Sequence, residues 1–167
     1  MGIDEIKRIG NFIVLCLLQV VVFNHIHLFG IATPMLNIVF LMLFPCSYPR
    51  TGILLWSFAM GLVIDIFGNT PGVAATTMTI LGAMQPYLIR MLQSHEIDDE
   101  EKPSIATLGT QTYFFYLLLI AFAYCFLFFS LEMFSIDHLL YWMENVVGST
   151  VITVLLVFIV ELLWRRE

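Results

Sequence analysis

Between Arg8 and Arg50 the chain runs for 41 residues without an Asp, Glu, Lys or Arg. As one straight helix, rising ~1.5 Å per residue, that run would be about 60 Å long, twice the ~30 Å hydrocarbon core of a bilayer. An uncharged apolar stretch of this length has to fold back on itself within a membrane. The rest of the chain agrees. It is 60% hydrophobic and 12% charged, with a mean hydropathy of +0.92, whereas a soluble domain carries roughly 25% charged residues. The sequence predicts an integral membrane protein. At about 20 residues per span, six spans use roughly 120 residues, which leaves short connections and a single membrane domain over 1–167.

The fold-back falls at Asn24-His25-Ile-His27-Leu-Phe-Gly30-Ile-Ala-Thr33-Pro34. There glycine can end one helix, while Thr-Pro supplies an N-cap and the favoured first-turn proline of the next. This grammar predicts an all-α bundle of six transmembrane helices at about 9–29, 34–48, 52–67, 72–92, 104–131 and 139–163. The second span is short and closed by Pro45 and Pro49, so a re-entrant or mismatched helix also fits it. Pro86 predicts a kink in the fourth span, because apolar sequence continues on both sides. The fifth starts with a polar stretch, Ser104 to Thr112, suited to the interface. The turn Phe29-Gly30-Ile-Ala-Thr33-Pro34 is echoed at Phe67-Gly68-Asn-Thr70-Pro71, which reads either as turn grammar or as a repeated hairpin.

With these spans, all seven cations fall on one side: Lys7, Arg8, Arg50, Arg90, Lys102, Arg165 and Arg166. By the positive-inside rule both ends of the chain are predicted to be cytoplasmic. The basic N-terminus followed by an apolar run reads as an uncleaved first span, since no small-residue cleavage site follows. Ile6 stands where a myristoylation signal needs Ser or Thr.

The net charge of −6 is local. Five of the thirteen acids, Glu96, Asp98, Asp99, Glu100 and Glu101, occupy one hydrophilic loop. That loop reads as a solvated connection or, as the sharper alternative, a dock for a basic cytoplasmic partner; nucleic-acid binding is not expected. Cys16, Cys46 and Cys125 are isolated within apolar runs and read as packing residues, without a disulfide framework or a thiolate metal site. His25 and His27, two apart, point to different faces of a helix and are poorly placed to share a metal.

A carboxylate, Asp65, closes the apolar run of the third span just before Gly68-Asn-Thr70-Pro71-Gly72. A carboxylate at a membrane-span position is costly and demands a partner. Gly61 lies four residues earlier on the same helical face, with Phe58 and Leu54 a turn or two further in, and glycine admits a close neighbouring backbone. One reading is a polar lock in which Asp65 accepts hydrogen bonds from the backbone or from Thr70, Thr76 or Asn69, fixing span three to span four. The other is a helix-end residue near the headgroups. A proton relay lacks further ionisable groups leading inward.

Gln19, Asn37, Gln85, Gln111 and Asn145 are expected to hydrogen-bond across helix interfaces, and Asn145, Ser149 and Thr153 to form a polar packing seam on span six. No metalloprotease helix, nucleophile elbow, phosphate-binding glycine loop or paired intramembrane carboxylate occurs, so the sequence suggests neither an enzyme nor a cofactor.

The pattern Phe58-x-x-Gly61-Leu62-x-x-Asp65, followed after a short turn by Gly72-x-Ala74-Ala75, resembles the signature of the MreD family, the rod shape-determining membrane proteins of bacteria. The length, the number of predicted spans, the short second span opened by proline and the basic C-terminal end resemble that family as well. The resemblance implies a non-enzymatic scaffold of the cell-elongation machinery in the bacterial inner membrane, with Gly61, Asp65 and Gly72 as motif positions. It implies as partners MreC, the actin-like MreB, the glycosyltransferase RodA and its penicillin-binding transpeptidase, besides membrane lipid. It also implies an architecture similar to the substrate-binding subunits of energy-coupling-factor transporters, so a subunit binding a vitamin-like small molecule is the alternative function. Those subunits present regularly spaced small residues on their first span. Here Phe12-Ile-Val-Leu-Cys-Leu-Leu-Gln-Val lacks such a seam, which disfavours transport.

Overall fold

The computed structural model describes residues 3–22, 33–45, 47–92, 102–133 and 139–164, and every regular element among them is helical. Helix α1, Ile3–Leu17, continues into a π-helical turn, Leu18–Val22. A short α2, Ile38–Met42, is followed by α3, Arg50–Gly68, and α4, Val73–Leu92. Then come one turn of helix, α5, Ile105–Leu108, and the long α6, Thr110–Glu132, and α7, Leu139–Trp164. His25, His27, Cys46, Asp137, His138, Arg165, Arg166 and the acidic group Glu96, Asp98, Asp99, Glu100 and Glu101 lie outside the described residues, as do Phe29 and Gly30 of the first predicted turn.

Three of these helices are long and apolar enough to cross a membrane: Arg50–Gly68, Thr110–Glu132 and Leu140–Leu162. Their surfaces suit lipid. On α3, Leu55, Phe58, Leu62 and Ile66 face outward, and on α7 so do Leu140, Met143, Val147, Val151, Leu155 and Ile159, at helical spacing. The interior, in contrast, holds Gln19, Asn37, Ser57, Asp65, Thr77, Gln85, Asn145, Ser149, Thr150 and Thr153. Apolar outside and partly polar inside reverses the soluble pattern. In lipid there is little hydrophobic drive between helices, so close packing and interhelical hydrogen bonds have to hold them together.

Aromatic rings supply part of that packing. Phe12 of α1 meets Phe40 of α2 and Trp56 of α3 edge-on at 5.4 and 5.5 Å. At opposite ends of the α6–α7 pair, Phe114 packs on Phe158 and Phe126 on Trp142. Tyr113, Tyr116 and Tyr124 of α6 are fully buried. Arg8, Arg50 and Lys102 lie at one end of the bundle. The Arg8 guanidinium lies 4.2 Å from the Tyr48 ring centre, and Arg50 donates to the Tyr87 hydroxyl at 3.1 Å. Lys102 lines a cavity with Asn11 of α1 and Glu161 of α7 at this same end.

The stretch predicted as a helix over 34–48 contains only the five-residue α2. Pro34, Pro45 and Pro49 remove amide donors and restrict the residues before them, which confines the helix to the proline-free middle. From the level of Gln19 the segment descends to Tyr48 beside Arg8, roughly 16 Å along α1. Helix α4 runs through Pro86 without ending. Between α5 and α6, Gly109 at φ 78° breaks the fifth predicted span near its start, and Ser104 and Thr107 form a capping box at the head of α5.

Candidate functional site

Helix α3 ends where Asn69 takes the left-handed conformation, φ 54°, with its amide donating to the Asp65 carbonyl. Four residues later α4 begins, and like any helix it opens with amides that lack an intrahelical acceptor. A side-chain oxygen at the N-cap usually accepts from them. Gly72, at φ 83°, precedes Val73 and has no side chain to offer. The acceptor comes from the preceding helix instead. Asp65 Oδ1 accepts from the Ala74 amide at 2.8 Å and from the Thr70 hydroxyl at 3.0 Å, and Oδ2 accepts from the Ala75 amide at 2.9 Å.

The carboxylate is 4% exposed. A charge so buried persists only with compensation, and here it sits at the positive end of the α4 dipole with three donors converging on it. Three of roughly four acceptor positions are thereby occupied. Such a group ties the end of α3 to the start of α4.

Gly61 permits the approach. A methyl placed there would lie 2.5 Å from the Ala74 carbonyl oxygen, so any side chain would push the start of α4 away from Asp65. Further along, a methyl on Gly82 would lie 2.5 Å from the Ser57 hydroxyl oxygen. Ser57, Gly61 and Asp65, four apart on α3, therefore form a close-packed seam with Ala74, Ala75 and Gly82 of α4. Phe58, expected on this face, is 47% exposed and turned outward; Ser57 and Ile53 take the buried positions. Of the other predicted positions, Gly68 closes α3, Thr70 donates to Asp65, Pro71 lies exposed in the turn, and Gly72 supplies the positive φ. The Asn69 and Thr76 backbone amides go elsewhere, to the Asp65 and Gly72 carbonyls. The two principal donors, Ala74 and Ala75, are backbone groups, and their signal in the sequence is the Ala-Ala pair just after Gly72.

A second constellation surrounds segment 33–45. Irregular backbone at membrane depth is tolerated only when protein satisfies it. Gln19, in the π-helical turn, accepts from the Leu36 amide at 2.7 Å and donates to the Pro34 carbonyl at 3.1 Å. On α7, Ser149 Oγ and Thr153 Oγ1 accept from the amides of Thr33 and Met35, each at 3.0 Å. From α4, Gln85 donates to the carbonyls of Leu41 and Phe44 at 2.7 and 3.2 Å. Asn37 donates to the Tyr124 hydroxyl of α6 at 2.6 Å. The polar residues expected to bond helix to helix thus converge mostly on one strap, residues 33–45, that is helical only in its middle. Two differ. Asn145 donates to the Tyr141 carbonyl of its own helix, and Gln111 is exposed at the head of α6. Cys16, buried, donates to the Met60 sulfur.

Among the described residues no group of three His, Cys, Asp or Glu is placed to hold a metal. A cavity of about 220 Å³ lies between α1, α2, α5, α6 and α7 and is lined by Asn11, Lys102, Ser104, Tyr113 and Glu161 alongside aliphatic side chains. Compared with known proteins, the chain matches no family model, no curated protein and no solved structure.

Proposed function

We propose that this protein is a non-enzymatic scaffold of the bacterial cell-elongation complex, an MreD-like partner of MreC in the inner membrane that helps maintain rod shape. The observation that carries the reading is the Asp65 carboxylate with its three donors, which supports an architectural purpose for the sequence pattern from Phe58 to Ala75. A carboxylate held by two backbone amides and a hydroxyl is suited to presenting a rigid α3–α4 hairpin to other membrane proteins. MreC is the direct partner in this reading, with MreB, RodA and its transpeptidase reached directly or through it.

Six crossings with both ends cytoplasmic are part of the same proposal. Residues 3–22 and 73–92 are continuous helical stretches near the ~20 residues a span needs. Segment 33–48 returns the chain to the end where Arg8 and Arg50 lie. The competing reading, a subunit binding a vitamin-like molecule, gains nothing from the 220 Å³ cavity, which is below the ~300 to 1,000 Å³ of ordinary ligand pockets.

Affinity purification from rod-shaped bacteria in mild detergent, followed by mass spectrometry, tests the proposal. MreC should be recovered at near-stoichiometric level, and depletion of this protein should round the cells. Rod growth after deletion, or recovery of a bound vitamin in place of MreC, refutes it.

A further inference from the structure

The cavity at the cation-rich end has no part in the α3–α4 lock. Its polar lining comprises Lys102, Glu161, Asn11, Ser104 and Tyr113, and its apolar lining includes Val39, Met42, Leu43, Val157 and Val160. Both signs of charge therefore border one enclosure. A simple anion site would not carry the carboxylate, and a simple cation site would not carry the ammonium. Lys102 is exposed and Glu161 half-buried, whereas Tyr113 at the back is 1% exposed. The opening is thus charged and the rear closed.

The apolar side limits what the occupant can be. Val160, 37% exposed, belongs to the outward surface of α7, so the cavity reaches the face that lipid would cover. The volume, about 220 Å³, exceeds the ~150 Å³ cavity that accepts benzene, so a group of about eight heavy atoms fits. It is too small for a whole amphiphile. A small dipolar headgroup carrying acyl chains that remain in the bilayer satisfies all three constraints: charge of both signs, limited volume and a lipid-facing side.

We propose that this cavity binds the headgroup of an aminophospholipid, phosphatidylethanolamine, with Lys102 meeting the phosphate and Glu161 the primary ammonium. The Asn11 amide is placed to donate to the phosphate, while the Tyr113 hydroxyl at the rear hydrogen-bonds Glu161 and orients its carboxylate. A primary ammonium donates hydrogen bonds to a carboxylate, and a choline trimethylammonium does not. The site should therefore distinguish the two zwitterionic lipids.

The test uses the purified full-length protein, delipidated in a neutral detergent. Dioleoylphosphatidylethanolamine or dioleoylphosphatidylcholine is titrated in, and binding is read by native mass spectrometry and by the unfolding temperature. Wild type should retain one ethanolamine lipid with about tenfold preference over the choline lipid, as one charge-assisted hydrogen bond allows. Glu161→Gln should sharply reduce that preference, and Lys102→Gln, at an exposed position, should weaken both lipids together. Equal binding of the two lipids by wild type overturns the proposal, as does a preference unchanged in both variants. Protection by soluble O-phosphoethanolamine equal to that by the lipid overturns the lipid assignment in favour of a free phospho-amine. Unchanged unfolding temperatures of the variants in detergent alone establish that the binding changes are local.

Discussion

Replacing Asp65 tests whether the α3–α4 hairpin is held as described. In Asp65→Ala both amides at the head of α4 lose their acceptor. Ala74 is 0% and Ala75 3% exposed, so water cannot replace it. Leaving a buried donor unsatisfied costs ~1 to 3 kcal/mol, which gives about 2 to 6 kcal/mol for the pair, while the Thr70 hydroxyl can rotate to another acceptor. Asp65→Asn keeps one oxygen. Whichever way the amide is turned, its NH2 group faces either the Ala74 or the Ala75 N–H, donor against donor. One bond is lost and one kept, for roughly 1 to 3 kcal/mol. Asp65→Leu removes both acceptors and adds bulk to the seam beside Gly61, and should cost the most. Reversible unfolding in mixed detergent micelles, followed by circular dichroism, should rank the proteins wild type, Asn, Ala, Leu in falling stability. If Asn fails as badly as Ala and Leu, the negative charge itself is what α4 requires. If Ala costs under about 0.5 kcal/mol, the buried amides are not starved and the capping argument is wrong.

The same assay checks the seam: Gly61→Ala should cost ~1 to 3 kcal/mol by overpacking, because the added methyl meets the Ala74 carbonyl, which is backbone and cannot turn aside. Gly82→Ala should cost less, since it meets the Ser57 side chain, and Ser57→Ala in the same chain should recover part of the loss. Thr153→Val keeps the shape but removes the acceptor for the Met35 amide, so it should destabilise by ~1 to 3 kcal/mol and increase cysteine labelling at introduced sites within 33–45. Gln19→Leu, which orphans the Leu36 amide and the Pro34 carbonyl together, should exceed Thr153→Val in both readouts.

Helicity and membrane character are legible in the sequence because both follow from composition and from the absence of charge over long stretches. The position of the α3–α4 turn is legible too, since Gly68, Thr70, Pro71 and Gly72 carry their conformational preferences wherever they stand. The donors to Asp65 are less so. Backbone amides have no letter of their own, and only the juxtaposition of Gly61 with small residues after Gly72 hints that Ala74 and Ala75 approach it. Segment 34–48 is the clearest case of illegibility. Hydropathy reports that a residue leaves water, and Ile38, Phe40, Leu41 and Phe44 leave it completely whether their backbone is helical or not. The prolines at 34, 45 and 49 signal the irregularity, but the residues that make it affordable, Gln19, Gln85, Ser149 and Thr153, lie on three other elements. Their polarity is visible along the sequence, whereas their common target is not.

The separation of donors and acceptors along the chain also sets an order of biosynthesis. The amides that Asp65 accepts lie nine and ten residues after it, so this clasp can close as soon as the start of α4 leaves the ribosome. The amides of Thr33 and Met35 wait for hydroxyls 116 and 118 residues downstream. During most of translation the strap therefore lacks two of its acceptors. A hairpin that matures early next to a segment that matures last leaves a nascent protein whose final helix, on arrival, completes its earliest irregular segment.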